Sequence, residues 1–327
     1  MTDMRRTILW VVFTMSLVLL WDAWNKHNGH PPLFFGTGTK PVVTAPAAGS
    51  APGLAGSTAV PAPMAGGAAS TPAATAAAPV GGSLTPATST AVTVSSDLIK
   101  ATFDSTGASL VRLELLHYVD QNDKTRNVVL FDHSAERVYQ AQTGLVGAPD
   151  LPSHLTPMQW VSGPTTLADG ADELSVRFES PVMGGVQLAK TYTFARGSYA
   201  VKVKHEVQNH GTAPISPQLY QQLVRDGNKP PGESSFYSTF TGPAIYTDAS
   251  KFKKIEFKDI EKGGVSIDKS ADNGWVAMVQ HYFISAWLHD DAAAREFYAR
   301  KVDTNLYAIG QLFALGPIEP GQTRTIT

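Results

Sequence analysis

The sequence predicts an all-β fold, a large sandwich of two antiparallel sheets, preceded by one N-terminal transmembrane helix and a disordered linker. Three observations predict it: an apolar run near the N-terminus, a long stretch rich in Ala, Pro, Gly, Thr and Ser, and alternation of apolar and polar residues over most of the rest. The chain has 327 residues, a length that fits two domains or one large all-β domain.

The composition excludes several classes of function. The chain carries 26 Lys and Arg against 28 Asp and Glu, and it contains no cysteine. A near-neutral balance offers no basic field for a phosphate backbone, so we expect no nucleic-acid partner. Without cysteine there is no disulfide, no cysteine-ligated zinc and no thiol nucleophile.

Residues 1–28 are predicted to form an N-terminal transmembrane anchor, with a helix over about 7–24. These eighteen residues, at about 1.5 Å rise each, span roughly 27 Å, close to the ~30 Å thickness of the hydrocarbon core. Nine of them are Ile, Leu, Val or Phe. At about 0.3 to 0.6 kcal/mol each, they favour insertion by roughly 3 to 5 kcal/mol.

Five residues are predicted to fix the topology of this anchor. Arg5 and Arg6 precede the apolar run, so we expect the N-terminus in the cytoplasm and the following chain on the other side. Trp10 lies near one predicted interface, and Trp21 and Trp24 lie near the other. A cleaved signal peptide is the alternative, but the sequence Asp-Ala-Trp-Asn-Lys after the run is a poor cleavage site. We therefore expect the anchor to be retained.

Residues 29–91 are predicted to be a disordered linker between the membrane and the following domain. Between residues 36 and 95 the chain holds 17 Ala, 9 Gly and 8 Pro, and Lys40 is the only charged residue. So little apolar area cannot offset the entropy of ordering the chain. A partner-docking motif is the alternative, although the composition singles none out.

Residues 92–327 are predicted to form the β domain. Apolar and polar residues alternate in several segments, which is typical of half-buried antiparallel strands. Turn-forming residues separate these segments, and no stretch sustains an amphipathic helix longer than two or three turns. The clearest alternating apolar positions are Val111, Leu113 and Leu115, then Leu174, Val176 and Phe178, then Tyr199, Val201, Val203 and Val207.

The stretch Trp275–Leu288 is apolar enough for either a buried helix or two central strands. Its aromatic and β-branched residues, and the Asn-Gly turn before it, favour strands. We expect Trp275, Tyr282, Phe283 and Trp287 to lie in the core. The alternative is an aromatic-lined cleft for a sugar, as large β-sandwiches can form.

No catalytic constellation is present in the sequence. Nucleophile elbows, P-loops, zinc-binding HExxH and dinucleotide-binding glycine motifs are all missing. The two closest histidine pairs, His27 with His30 and His205 with His210, are expected to be solvated, and Asp290-Asp291 to form a solvated turn. We therefore expect no enzyme activity, no catalytic residues, no metal site and no cofactor.

Four segments together resemble one known family. They are RRTILWVVFTMSLVLLWDAW at residues 5–24, VYQAQTGL at 138–145, RGSYAVKVKHEVQN at 196–209 and NGWVAMVQHYFISAW at 273–287. The sequence resembles the bacterial YidC membrane protein insertases in these segments, which follow the same order as in that family. The resemblance implies a cell inner membrane protein whose periplasmic domain is a galactose mutarotase-like β-supersandwich.

The resemblance also implies a function, membrane protein insertion as a chaperone. In the family, five further transmembrane helices after this domain perform insertion, so the chain is expected to hold the anchor and a periplasmic domain truncated at its C-terminal end. The implied partners are the Sec translocon and its accessory subunits, nascent inner-membrane proteins, and membrane lipid. A membrane-anchored periplasmic carbohydrate-binding or mutarotase-like protein is the alternative.

Overall fold

A computed structural model describes Trp10, Phe13, Met15 and Ser16, and then residues 90–230, 239–289 and 292–327. The chain divides into two units, residues 1–51 and residues 52–327. In the first unit the four described residues are helical and exposed. Within the described part of the chain, no helix has the length and apolarity needed to cross a membrane. Most of the predicted span and nearly all of the predicted linker lie outside the described residues.

The second unit contains a nine-stranded antiparallel sheet. Its strand order is β1-β2-β3-β4-β5-β10-β17-β16-β13, with numbers following the chain. The strands are β1 (Ala91–Ser95), β2 (Ile99–Asp104), β3 (Ser109–Val119), β4 (Asn127–His133), β5 (Val138–Val146), β10 (Gln218–Asp226), β13 (Ser270–Ala271), β16 (Arg295–Asp303) and β17 (Leu306–Ala314).

Two smaller antiparallel sheets and one short helix, α1 (Phe257–Glu261), complete the described part of this unit. The five-stranded sheet, in the order β18-β9-β8-β7-β6, comprises β6 (Gln159–Ser162), β7 (Glu173–Glu179), β8 (Val186–Ala195), β9 (Val201–Asn209) and β18 (Thr323–Ile326). The four-stranded sheet, in the order β12-β11-β14-β15, comprises β11 (Thr241–Thr247), β12 (Lys251–Lys254), β14 (Trp275–Gln280) and β15 (Phe283–Trp287).

This architecture confirms the predicted antiparallel all-β fold. The alternating segments became β3, β7 and β9, and the ambiguous stretch formed β14 and β15, as its composition favoured. The turn before β14 requires glycine. Gly274 has φ +95°, and a Cβ on it would lie 2.0 Å from the carbonyl oxygen of Tyr246, so any side chain would clash with backbone.

The core lies between the nine-stranded sheet and the two smaller sheets. On one side, Phe103 of β2 packs against Phe178 and Tyr192 of the five-stranded sheet, at ring-centroid distances of 5.4 and 4.4 Å. On the other side, Val276 of β14 and Phe313 of β17 belong to the same buried cluster. The second layer of the sandwich is therefore built from two sheets placed side by side.

Candidate functional site

A layer of polar side chains is buried in the middle of the sandwich. Lys190 of β8 is fully buried, and its Nζ donates hydrogen bonds to the carbonyl oxygens of Gly107 and Thr143, at 2.6 and 2.8 Å. The hydroxyl of Thr143 lies 3.0 Å from Nε2 of His205, which is also fully buried. These contacts join the five-stranded sheet to β5 and to the turn before β3.

The buried layer continues across the nine-stranded sheet. Thr143 of β5 pairs with Gln221 of β10, which pairs in turn with Gln311 of β17. The Nε2 of Gln311 donates to Oε1 of Gln221 at 2.9 Å, and Nε2 of His289 lies 2.9 Å from the same oxygen. A row of amide and hydroxyl groups thus faces Lys190 and His205.

Burial without a carboxylate partner shifts both basic groups towards their neutral forms. Desolvation lowers the pKa of Lys190 from 10.5 to about 7. Desolvation also lowers the pKa of His205 well below 6.5, and the positive charges of Lys190 and His289 lower it further. A neutral lysine has two N–H groups, which match the two carbonyl acceptors of Lys190.

His205 corrects one sequence prediction. We expected a solvated histidine, but His205 is 0% exposed, whereas His210 is exposed as predicted. The sequence did indicate that His205 is buried, because His205 continues the alternation of Val203 and Val207 on the inward face of β9. The sequence held the same indication for Lys190, which was not predicted to be buried. Lys190 continues an alternating run of buried residues in β8. The other pair, His27 with His30, lies outside the described residues, as does Asp290-Asp291.

The buried layer is closed to solvent, so its chemistry is structural. Its hydrogen bonds link the two sheets, although Nδ1 of His205 and Oε1 of Gln311 are buried without a hydrogen-bond partner among the described residues. No group of three or more His, Asp or Glu residues in the described ranges is arranged to hold a metal ion. A second network, on the opposite face of β10, links Gln142, Gln222 and Tyr298 through hydrogen bonds of 2.8 and 2.9 Å.

In each of two surface clefts, few polar side chains point to a common position where a ligand could bind. The larger, about 400 Å³, is bordered by the end of β5 and the following loop, including Leu145, Leu151 and Asp150. The smaller, about 150 Å³, lies where Arg137 and Asp226 approach the turn between β16 and β17. Neither gathers a nucleophile, a base and a donor set that would support a reaction.

The predicted anchor residues are only partly visible. Trp10 is helical, 62% exposed and in edge-to-face contact with Phe13, with ring centroids 6.1 Å apart. Arg5, Arg6, Trp21 and Trp24 lie outside the described residues, so the topology of the anchor stays a prediction.

The outer face of the four-stranded sheet is apolar, and we call it the aromatic face. It comprises Tyr246, Phe252, Trp275, Ile284 and Leu288. Phe252, Ile284 and Leu288 on it are exposed, whereas Tyr246 and Trp275 are half-buried. Phe252 pairs with Tyr246, and Tyr246 pairs with Trp275, so the three rings form a row across β12, β11 and β14. The rings of Tyr246 and Trp275 are stacked at 5.8 Å and 12°.

The aromatic face corrects a second prediction. Trp275 lies on this outer face and Tyr282 is 72% exposed, so neither is a core residue. Phe283 and Trp287 are partly buried and pack against the core, as expected. Both faces of β14 are apolar, so the sequence does not show which face is buried. The face with Val276 packs against the nine-stranded sheet, and Trp275 lies on the opposite face.

Similarity to known proteins identifies the class of this protein. Residues 91–327 match the family model of the YidC periplasmic domain, so this is a membrane protein with a periplasmic β domain. The chain is 47% identical to the membrane protein insertase YidC of Cupriavidus necator over 99% of its own length, and 46% identical to that of Bordetella pertussis, again over 99%. The chain belongs to the YidC family of membrane protein insertases. It spans 56% and 57% of these two relatives.

Solved structures with similar folds are more distant. A galactose mutarotase-like protein from Lactobacillus casei is 10% identical, with a TM-score of 0.42, and the match covers 72% of this chain and 98% of that one. A galactose mutarotase related enzyme from Lactobacillus acidophilus is 11% identical, with a TM-score of 0.43, covering 72% and 95%. Neither likeness bears on function.

Proposed function

We propose that this chain is the anchor and periplasmic portion of a membrane protein insertase. The observation that carries the proposal is the identity of 46–47% to named insertases over nearly the whole chain. The match to the periplasmic-domain family over residues 91–327 supports the same assignment. In this reading the protein helps nascent membrane proteins insert and fold, and it does so without chemical catalysis.

The proposal places the protein in the cell inner membrane. Arg5 and Arg6 before the apolar run favour a cytoplasmic N-terminus. The β domain then lies in the periplasm, where it contacts accessory partners such as subunits of the Sec translocon. The exposed residues Phe252, Ile284 and Leu288 of the aromatic face offer an apolar contact surface on that domain.

Insertion itself is proposed to need more than residues 1–327. A groove for a polar substrate segment in a bilayer requires at least two walls, because an unsatisfied polar group in lipid costs several kcal/mol. Residues 1–327 hold one predicted apolar span, and the relatives are longer. We therefore assign insertion to the part of the relatives that this chain does not match.

A complementation experiment tests this assignment. A host depleted of its own insertase would receive residues 1–327, or a chimera of residues 1–327 with the unmatched part of the Cupriavidus necator relative. Insertion of a Sec-independent single-span substrate would be followed by protease accessibility. We expect the chimera to restore insertion and residues 1–327 to fail. Rescue by residues 1–327 alone, or failure of a stably expressed chimera, would contradict the proposal.

A further inference from the structure

We propose that the space between residues 201–204 of β9 and residues 283–287 of β15, which we call the slot, receives one further β-strand. The occupant is a continuation of β18, the segment that follows the matched region in the longer YidC relatives, of which this chain spans 56%. Filling the slot joins the four-stranded and five-stranded sheets into one layer. The inference rests on membership of the family and not on the proposed insertion function, so its test needs no insertion assay.

Both borders of the slot are strand edges without a paired neighbour in the described part of the chain. Residues 201–204 of β9 pair with β8 on one side, whereas on the other side β18 pairs only with residues 205–208. β15 pairs with β14 alone and ends the four-stranded sheet. The backbone N–H and C=O groups along an unpaired edge form a template for a further strand.

Contacts at one end of the slot bring the starts of β9 and β15 together. The ring centroid of Tyr118, on β3, lies 5.9 Å from that of Tyr199, just before β9, and 5.6 Å from that of Phe283, the first residue of β15. Neighbouring strands are about 4.8 Å apart, so one inserted strand needs about 10 Å between the strands beside it. Two rings that each contact Tyr118 can stand that far apart.

Contacts at the other end of the slot show that β9 and β15 run in the same direction. His205 and His289 each lie six positions after the residue that contacts Tyr118. Nε2 of His205 is 3.0 Å from the hydroxyl of Thr143, and Nε2 of His289 is 2.9 Å from Oε1 of Gln221. Thr143 and Gln221 are directly paired on β5 and β10. The two strands therefore start together and end together over the nine-stranded sheet.

β18 lies on the side of β9 that faces β15. Lys190 of β8 is paired with His205, and its Nζ reaches the carbonyl oxygens of Gly107, before β3, and Thr143, on β5. β15 instead contacts β10, which lies on the other side of β5 from β3. β8 and β15 are therefore on opposite sides of β9. Since β18 occupies the side opposite β8, it faces β15.

The register of β18 directs the chain into the slot. Its antiparallel pairing with β9 reaches Ile326 opposite His205. Continued in this register, Thr327 lies opposite Lys204, and the third residue after Thr327 lies opposite Val201. Because β9 and β15 run in the same direction, a strand that is antiparallel to one is antiparallel to both. It can form an antiparallel ladder on each side.

Burial along β9 falls where β18 no longer covers the strand. The inward-facing His205 and Val207, which pair with β18, are 0% and 1% exposed. Val203, beyond β18, is 9% exposed, and Val201 is half-buried. The inward-facing residues of β15 are also half-buried, and they are Phe283, Ser285 and Trp287. A strand in the slot completes the burial of both sets.

Covalent attachment favours the continuation of β18 over other occupants. A segment leaving β18 already has the direction and register that the slot requires. A second copy of the chain or a free peptide would lose translational and rotational freedom on binding, and it would have to fit the space beside β18. The predicted linker is unsuited, because its prolines lack the N–H that a strand between two others must donate.

Hydrogen exchange on three chains tests the inference. The first is residues 1–327, and the second carries in addition about ten residues that follow the matched region in the Cupriavidus necator relative. The third carries the same extension with proline at every second position, which cannot form the ladders. Each chain is purified in detergent and compared at two protein concentrations. Mass spectrometry follows peptides that cover residues 201–204 and 283–287, and residues 251–254 of β12, at the far edge of the four-stranded sheet, serve as the internal control.

We expect the extension to slow exchange by roughly tenfold or more in residues 201–204 and 283–287 and to leave β12 unchanged. The chain with the proline extension should exchange as residues 1–327 do. Equal exchange in all three chains, or slowing at only one border of the slot, would overturn the inference. Slowing in residues 1–327 that increases with protein concentration would overturn it in favour of a second copy.

Discussion

Replacing Lys190 by methionine should stabilise the β domain at neutral pH and destabilise it at high pH. Lys190 is fully buried, and burial lowers its pKa from 10.5 to about 7. At 1.36 kcal/mol per pH unit, that difference corresponds to a cost of ~5 kcal/mol for keeping the charged lysine in the folded state. Below pH 7 both states bind the proton, so the whole cost is present.

This pH dependence of the free energy of unfolding has the opposite sign to that of a base in an ion pair, whose pKa is raised in the folded state. Between pH 7 and pH 10.5 the unfolded chain binds a proton that the folded chain does not, so the free energy of unfolding rises with pH. Methionine removes this dependence, and it also removes the two hydrogen bonds to Gly107 and Thr143, worth about 1 kcal/mol each. The variant should therefore be more stable by ~3 kcal/mol at pH 7 and less stable by ~1 kcal/mol at pH 10.

Urea unfolding of residues 90–327 at pH 7, 8, 9 and 10, followed by tryptophan fluorescence, measures this difference. Lys202→Met is the matched control, since Lys202 is exposed on β9 and has no burial cost to relieve. The two stability curves of wild type and Lys190→Met should cross near pH 9. A stability difference that stays constant from pH 7 to pH 10 would refute the reasoning, because it would mean that the buried lysine keeps its proton.

Three further predictions concern other parts of the chain. Burial and neighbouring positive charge lower the pKa of His205 well below 6.5, so the free energy of unfolding should fall as pH drops below 6.5. In His205→Gln this fall should be smaller, as measured by urea unfolding at pH 5 and pH 7. Gly274→Ala should lower stability by about 2 kcal/mol or more, whereas Gly197→Ala, with φ +72° but nothing within 4 Å of an added Cβ, should cost ~1 kcal/mol in thermal unfolding. Limited proteolysis should cut within the predicted linker, residues 29–91, and leave residues from about 92 onward intact; equal cleavage in both would contradict the prediction.

The sequence alone determined the class of fold and the family. Alternation in β3, β7 and β9 is a local pattern, so it could be recognised without knowing what lies opposite each strand. The same holds for the two strands of Trp275–Leu288, whose β-branched and aromatic residues favour extended backbone over helix. Four short motifs in order were enough to predict membership of the YidC family, which the identities confirmed.

The tertiary structure alone decided which face of β14 is buried, and which polar groups surround Lys190 and His205 in the core. Both faces of β14 are apolar in sequence, yet Val276 is buried and the ring of Trp275 lies on the outer face, because only one face meets the nine-stranded sheet. A lysine and a histidine within alternating strands would ordinarily be placed in solvent, since burying a charge is costly. Lys190 and His205 are buried because carbonyl and hydroxyl groups from β5 and the turn before β3, far away in the chain, come within hydrogen-bond distance. Such partners are set by packing between sheets, which no local pattern contains.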